Sequence, residues 1–462
     1  MVVANQWSEP SQIDQMWIQN SDAYIDKGED RGYDLRQGLI SFSYYESLFS
    51  PHITASLSYL DTGYSEESGS GGDIQQRPGT VFTNLPIRGN ESIRAKISHG
   101  SGSFDFDDYS FKVTNVTRAS AGALKEVVSF NLTSRYALID KNKRVQKRYY
   151  NNIGDNVFQI LNTELGIPTN QISVEKTQST LSFLGNSLHP FDLILSLAPK
   201  STPVDGASGY FFYESNQIFN FRSADSLVNA GAVATYTADS QVSVSDADHP
   251  INDPNFRVLN YTVKKNEDIL SKLESGAFSA RLNRFNPASH KWEYKVFTLG
   301  DDMVPNTMGT ESYDSELLNT SHSDLLGSKD ANSRTYSTEF SVIDWVGNQE
   351  QDSGFGSVGV TTAVNNSSFD HKASALMRYN TLFTQIIDMV VPLNFNLRAG
   401  RNINCRFMKL TGGDQSEGIE DQKLSGKYLI INLCHNFTRE STNASTTHLT
   451  IVRDTYGYDF NT

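Results

Sequence analysis

Apolar and polar residues alternate with a period of two soon after the start of the chain. In residues 53–59, four apolar side chains fall on one side and hydroxyl side chains fall on the other: Ile53, Ala55, Leu57 and Tyr59 against Thr54, Ser56 and Ser58. This alternation is typical of a half-buried strand. Several similar runs follow up to residue 134. Residues 38–134 are therefore predicted to form a small antiparallel β-barrel.

The hydrophobic period changes to a helical one in the middle of the chain. Five apolar residues recur at helical spacing: Ile153, Val157, Ile160, Leu161 and Leu165. They predict an amphipathic helix over 153–165, and a shorter helix is predicted to begin at Pro190, where a missing N–H is harmless. The aromatic run 210–223 predicts a β-hairpin that packs on the first helix. A further helix over 266–274 and two paired strands, 279–286 and 291–299, complete a predicted α+β domain of residues 135–229 and 250–300.

The last quarter of the chain combines both patterns. Six apolar residues predict a helix across 376–387: Leu376, Tyr379, Leu382, Phe383, Ile386 and Ile387. Residues 389–410 predict two strands joined around 398–400, and residues 425–437 and 447–454 predict two more. We expect a second β-barrel over 376–462, with a contribution from 230–249. Residues 1–37 are predicted to be an N-terminal arm, and residues 301–375 an irregular insertion or linker.

Composition and charge narrow the class of protein. The 462 residues carry a net charge of −14, which argues against tight, nonspecific nucleic-acid binding, since such proteins need lysine and arginine to displace counterions. One basic cluster stands out: Lys141, Lys143, Arg144, Lys147 and Arg148. It is interpreted as a solvated strand or turn, with contact to phosphates or to an acidic partner as the alternative. No window is apolar enough for a membrane helix, no secretory signal is visible, and two cysteines make no disulfide framework. We therefore expect the chain to fold in a cytosol.

The sequence SGKYLIINLCHNF, residues 425–437, allows two interpretations: a reactive site formed by Cys434 and His435, or a strand of a β-barrel. In a strand, Cys434 and His435 point to opposite sides and cannot act together. A zinc site formed by Cys405, Cys434, His435 and His448 stays open as the weaker alternative, because no metal-binding spacing is present. We therefore predict a barrel strand, with no catalytic residue, metal ligand or cofactor.

Other candidate chemistry is equally sparse. Carboxylates cluster at 105–109 and 300–302, as a glycosidase would need, and the loop 246–255 has acidic residues but lacks the calcium-loop spacing. No nucleophile elbow or phosphate-binding loop occurs. The sequence therefore predicts a protein that is not an enzyme.

The order of these segments resembles the central baseplate hub proteins of T-even-like contractile-tailed phages. The segments that carry the resemblance are YYESLFSPHITASLSYLD, NVFQILNTELGI, GYFFYESNQIFNFRSADSL, ILSKLESGAFSARLNRFNP, VPLNFNLRAGRNINCRFMK and SGKYLIINLCHNF followed by HLTIVRD. The tripeptide Phe212-Tyr213-Glu214 is similar to one in the family's aromatic hairpin. The late-control protein of other tailed phages and the hub half of type VI secretion spike proteins are more distantly similar.

The resemblance implies a fold that is mainly β, with two tube-like barrels and an α+β insert. It further implies a homotrimer in the virion, assembled in the host cytoplasm. The trimer would join a sixfold tail tube to a threefold central spike, and its channel would pass DNA and a tape-measure protein. Further partners would be neighbouring baseplate proteins. The alternative is a carbohydrate-binding or carbohydrate-cleaving tail component, which would need Phe212 and Phe219 exposed beside Glu214.

Overall fold

The computed structural model describes most of the chain. The described residues are 11–19, 32–68, 74–85, 87–120, 125–178, 180–238, 254–266, 268–286, 291–299, 305–310, 334–339, 367–408, 420–438 and 445–457. Within them the fold is mainly β, and its helices belong chiefly to the middle of the chain.

The N-terminal part of the chain forms the first β unit. Its elements are β1 (Gln12–Gln19), β2 (Gly32–Asp34), β3 (Leu39–Ser47), β4 (Thr54–Asp61), β5 (Tyr64–Ser68), β6 (Ile74–Pro78), α1 (Val81–Asn84), β7 (Ser92–His99), β8 (Gly102–Ser120) and β9 (Glu126–Ser134).

The middle part forms the α+β domain. Its elements are α2 (Arg135–Asn142), β10 (Arg148–Tyr149), α3 (Ile153–Gln159), which continues as a π-helical turn over Ile160–Glu164, β11 (Ile172–Val174), β12 (Phe183–Leu184), α4 (Pro190–Leu197), β13 (Tyr210–Ser215), β14 (Ile218–Ser223) and α5 (Ala224–Asn229).

The C-terminal part holds the second β unit and a small separate sheet. Its elements are β15 (Ala232–Ala238), β16 (Asn260–Lys265), α6 (Ile269–Ser275), β17 (Ser279–Asn286), β18 (Lys291–Thr298), β19 (Arg334–Glu339), α7 (Ser367–Leu382), β20 (Gln385–Pro392), β21 (Asn402–Phe407), β22 (Gly426–Thr438) and β23 (Thr446–Arg453).

The first β unit curls back on itself. Its strands pair antiparallel in the order β3-β4-β9-β8-β7-β1. β1 also pairs with β2. β2 is followed within a few residues by β3, which is the first strand of this order. Side chains on the concave face alternate with outward ones, so that Ala55, Leu57 and Tyr59 are buried while Ser56 and Ser58 are not. The alternation predicted from the sequence is confirmed here.

The second β unit has the same character. Its strands follow the order β16-β20-β23-β22-β21-β15, antiparallel except for the β15–β21 pair. The backbone N–H of Val258, just before β16, donates to the carbonyl of Thr237 in β15 at 2.9 Å. This hydrogen bond brings the last strand of the order against the segment that leads into the first.

The two β units belong to one 15-stranded sheet because β22 pairs antiparallel with β3. Hydroxyl-to-amide bonds reinforce this seam: Ser43 Oγ donates to Asn436 at 3.0 Å and Ser47 Oγ to Asn432 at 2.6 Å. Beneath it, the rings of Phe42 and Phe437 stack with centroids 5.9 Å apart. The seam is therefore both hydrogen-bonded and packed on an aromatic core.

The middle domain is close to its sequence prediction. α3 and its π-helical turn bury Ile153, Val157, Ile160 and Leu161, and α4 begins at Pro190. β13 and β14 form the predicted hairpin, and β11 joins it in parallel as a third strand. These elements pack into the same apolar core as the two β units.

Two segments differ from their sequence predictions. Part of the expected arm is a strand, since β1 pairs along its whole length with β7 and buries Met16 and Ile18. The expected helix over 376–387 is instead α7, which begins at Ser367 and ends at Leu382, and the positions of Ile386 and Ile387 belong to β20. The two strands expected over 389–410 are β20 and β21, and each pairs with other strands of the second β unit.

The strands predicted over 279–299 are present but lie in a sheet of their own. β17 pairs with β18 and, in parallel, with β19 from the predicted insertion. Ala280, Leu282 and Phe297 pack with Ala373 and Met377 of α7. The domain limits given by the sequence stay a prediction.

Candidate functional site

The aromatic hairpin is buried rather than exposed. Phe212 is 1% exposed, and Phe219 and Glu214 are fully buried. Both rings contact Phe191 of α4, at centroid distances of 5.5 and 5.7 Å, and Phe219 also contacts Tyr136 of α2. The rings thus pack on α4 and α2, and this hairpin offers no exposed aromatic groove for a sugar.

Glu214 connects the hairpin to the first β unit. Its Oε2 accepts a hydrogen bond from the backbone N–H of Ile53 at 3.1 Å. The hairpin turn beyond it consists of Asn216 and Gln217, both with left-handed backbone (φ 46° and 67°). A two-residue turn of this kind matches the strand twist and directs its backbone toward β3.

Glu46 of β3 lies at the centre of a junction between three parts of the chain. It is 2% exposed. Its Oε1 accepts from Tyr44 Oη at 2.6 Å and from the backbone N–H of Asn216 at 2.8 Å. Its Oε2 accepts from the backbone N–H of Ala399 at 2.9 Å and from Ser215 Oγ at 3.1 Å. One carboxylate therefore joins the first β unit, the hairpin and the loop before β21.

The groups around this carboxylate are strongly desolvated. Burial and the nearby Glu46 raise the pKa of Tyr44 well above its ordinary value, so the phenol keeps its proton and donates. Gly400 completes the junction, since its φ is 80° and a Cβ there would stand 2.2 Å from Tyr213 Oη. Only glycine lets the loop approach the hairpin this closely.

Cys434 and His435 lie on opposite faces of β22, as predicted from the sequence. His435 is fully buried, with Nδ1 2.9 Å from Thr447 Oγ1. Burial, aided by the charge of Arg398, holds the pKa of His435 well below its ordinary value. Burial raises the pKa of Cys434 to about 11, so its thiol stays protonated at neutral pH.

The four residues of the weaker zinc alternative do not form one cluster. Cys434 pairs in register with His448 of β23, whereas Cys405 is buried in β21 opposite Gly426. Across the residues with described positions, no three His, Cys, Asp or Glu side chains come together as metal ligands. The structure thus does not bring the candidate ligands together.

The carboxylate candidates are partly described. Asp105 pairs with Lys96 at 2.8 Å and Asp107 with Arg94 at 3.5 Å, on neighbouring strands. Both are cross-strand ion pairs on a solvent-facing surface. The cluster at 300–302 and the acidic part of the loop 246–253 lie outside the described residues.

A second buried polar cluster lies at the end of α7. Arg378 is fully buried; its Nε is 2.7 Å from Asp225 Oδ1 and its Nη1 2.9 Å from Asp454 Oδ2. Its Nη2 donates to the carbonyl of Asn306 at 2.9 Å. This cluster joins α5, α7, the segment 305–310 and the C-terminal segment after β23. Nothing in the sequence singled it out, because its members are far apart along the chain.

A groove of about 440 Å³ lies at the seam between the β units. Among its lining residues are Tyr45 of β3, Cys434 of β22, His448 of β23 and Asp388 of β20. Asp388 already accepts from Thr450 Oγ1 at 2.9 Å. The described residues that line the groove form no catalytic constellation.

Comparison with solved structures gives the fold a name. The tail protein from Neisseria meningitidis MC58 matches with a TM-score of 0.50 at 8% identity, covering 98% of this chain and 100% of that one. The chain shares the fold of that tail protein. A 43 kDa tail protein of prophage MuSo2 from Shewanella oneidensis matches with a TM-score of 0.49 at 9% identity, covering 96% and 99% of the two chains.

A third solved structure comes from a secretion system. A component of the E. coli type VI secretion system matches this chain with a TM-score of 0.40 at 9% identity, over 97% of this chain and 79% of that one. No family model matches the sequence, and no curated protein matches it either. Of the helices in the described ranges, none has the length and apolar character needed to cross a bilayer.

Proposed function

We propose that the protein is a structural component of the phage tail, a trimeric baseplate hub that acts through its surfaces and not by catalysis. The observation that carries the proposal is the pairing of β22 with β3, which joins two β units into one sheet. Three such chains around an axis present six similar β units. A ring of this kind matches a sixfold partner on one side and a threefold partner on the other, since closed interfaces must agree in number.

The sixfold partner in this proposal is the tail tube and the threefold partner is the central spike. The α+β domain faces the spike, and the predicted N-terminal arm (1–37) and insertion (301–375) contact neighbouring baseplate proteins. DNA and the tape-measure protein pass through the ring, whose net charge of −14 per chain disfavours retention of phosphate. The protein is placed in the virion tail after assembly in the host cytoplasm.

The solution mass tests the trimer directly. Size-exclusion chromatography with light scattering at several concentrations should give about 154 kDa, three times the chain mass of 51.4 kDa. Co-expression with the spike gene of the same phage is the second arm. A protein that is monomeric alone and also monomeric with the spike would overturn the proposal.

A further inference from the structure

A small two-stranded ribbon protrudes from the α+β domain. β10 and β12 pair antiparallel, with Arg148 opposite Leu184, and an isolated bridge continues the pairing between Val145 and Leu188. Val145 and Tyr149 point inward and are each 2% exposed. The ribbon is therefore fixed to the core by these two side chains, while residues 146–148 between them are exposed.

The outer face of this ribbon carries exposed apolar side chains. Tyr150 is 61% exposed and Leu184 58%. Leu184 lies directly across from Arg148, and the Arg148 guanidinium carbon is 4.8 Å from the centroid of the Tyr150 ring. Leu188, 38% exposed, pairs with the inward-pointing Val145 and lies at the margin of this face. Exposed apolar residues are common singly, but Tyr150 and Leu184 next to the same arginine form a patch.

The basic cluster noted in the sequence runs from the end of α2 into β10, and all five of its cations are exposed. Lys141 is near carboxylates, 3.3 Å from Asp140 and 3.8 Å from Asp192. The other four form no ion pair within the described part of the chain. Arg144 Nη1 donates to the neutral carbonyl of Ser187 at 2.8 Å, which positions the guanidinium on the ribbon without cancelling its charge.

We propose that this ribbon is a docking surface for an acidic protein whose carboxylates surround an apolar centre. Arginine and tyrosine are the residues enriched at protein interfaces, and guanidinium groups bind carboxylates in a two-pronged geometry. A partner that offers aspartate and glutamate around one or two apolar side chains complements both the cations and the leucines. The inference is drawn from the ribbon alone and does not depend on the trimeric hub.

Nucleic acid is the competing occupant and fits less well. The chain as a whole is strongly acidic, which repels phosphate at long range. Single-stranded nucleic acid is bound by stacking of successive bases on several aromatic rings, whereas this face has one exposed ring, Tyr150, beside the aliphatic Leu184. These two features favour a protein partner.

Fluorescence anisotropy with the full-length protein tests the inference. The probe is a labelled synthetic peptide of glutamate and serine with two central leucines. Two comparison probes are used. One is the same peptide with serine in place of both leucines, and the other is a single-stranded DNA of equal charge. We expect the leucine peptide to bind most tightly. The double variant Arg144→Glu/Arg148→Glu should weaken its binding by about tenfold or more.

The matched control is Lys125→Glu/Lys423→Glu, which makes the same charge change at exposed positions outside the ribbon. It should change binding by less than about twofold. Leu184→Ser should weaken the leucine peptide but not the serine peptide, and circular dichroism should show every variant folded. The inference would be overturned by any of three results. These are an equal loss of peptide affinity in the control variant, DNA binding as tight as or tighter than that of the leucine peptide, or no peptide binding at low salt.

Discussion

The carboxylate of Glu46 gives the sharpest test of how the chain holds its parts together. Each of its oxygens accepts one backbone N–H, from Asn216 on one side and from Ala399 on the other. The variant Glu46→Gln keeps the shape but has only one oxygen. Whichever way the amide is turned, its NH₂ group faces one of the two backbone N–H groups, and that donor loses its acceptor.

The cost follows from these contacts. A buried N–H without an acceptor costs about 1 to 3 kcal/mol, and the bonds that remain lose their ionic assistance, about 1 kcal/mol more. We expect Glu46→Gln to lower the free energy of unfolding by about 2 to 4 kcal/mol. Denaturant unfolding followed by circular dichroism measures the loss. Hydrogen exchange with mass spectrometry should show faster exchange in the peptides that contain Asn216 and Ala399.

The matched control is Glu126→Gln on β9. Glu126 pairs with Arg118 at 2.7 Å, but both side chains are partly exposed. We expect a loss below about 1 kcal/mol there, as for other surface ion pairs. If Glu46→Gln unfolded within about 0.5 kcal/mol of the parent and left the two exchange rates unchanged, Glu46 would not join these segments as argued.

Three further predictions follow from buried groups. Arg378→Met should lower the free energy of unfolding by about 3 to 5 kcal/mol because Asp225 and Asp454 are left charged and buried. Adding Asp225→Asn and Asp454→Asn to this variant should restore more than half of the lost stability. A loss below about 1 kcal/mol for Arg378→Met alone would contradict the ion cluster. Because the folded state keeps His435 neutral, the unfolded chain takes up its proton first as pH falls below about 6.5, and stability should drop by up to about 1.4 kcal/mol per pH unit. In His435→Asn that loss, measured by denaturant titration from neutral to acidic pH, should be shallower, and an unchanged slope would contradict the assignment. Cys434, whose pKa burial raises to about 11, should react with iodoacetamide at pH 8 about a hundredfold more slowly than a free cysteine; a rate within tenfold of it would contradict that pKa.

Elements with strong local periodicity were predictable from the sequence. The hairpin of β13 and β14, the helix that begins at Pro190 and the alternation of β4 each follow from spacing within about ten residues. The error at 384–387 shows the limit of this reasoning. Ile386 and Ile387 continue the helical spacing of α7, yet they begin a strand in which Ile387, Met389 and Val391 alternate inward. Both periods fit so short a run, and the packing of β20 between β16 and β23 decides between them.

The polar junctions could not be predicted in the same way. An acidic residue in an alternating strand is expected to face solvent, so Glu46 gave no signal among the many acidic residues of the chain. Its burial is stabilised by donors more than 150 residues away in sequence. The resemblance drew attention to Glu214, but its partner, the backbone N–H of Ile53, likewise comes from another part of the chain.

The seam between β3 and β22 has a consequence for how the protein is made. Ser47 and Asn432 hydrogen-bond across 385 residues of sequence, so this side of β3 gains its partner only after β22 has been synthesised. At about 5 to 20 residues per second, β3 leaves the ribosome about 20 to 80 s before β22 does. During that interval the strand presents open backbone donors and acceptors, which invite aggregation. The nascent chain should therefore need chaperone protection, and rapid overexpression should favour inclusion bodies over the folded protein.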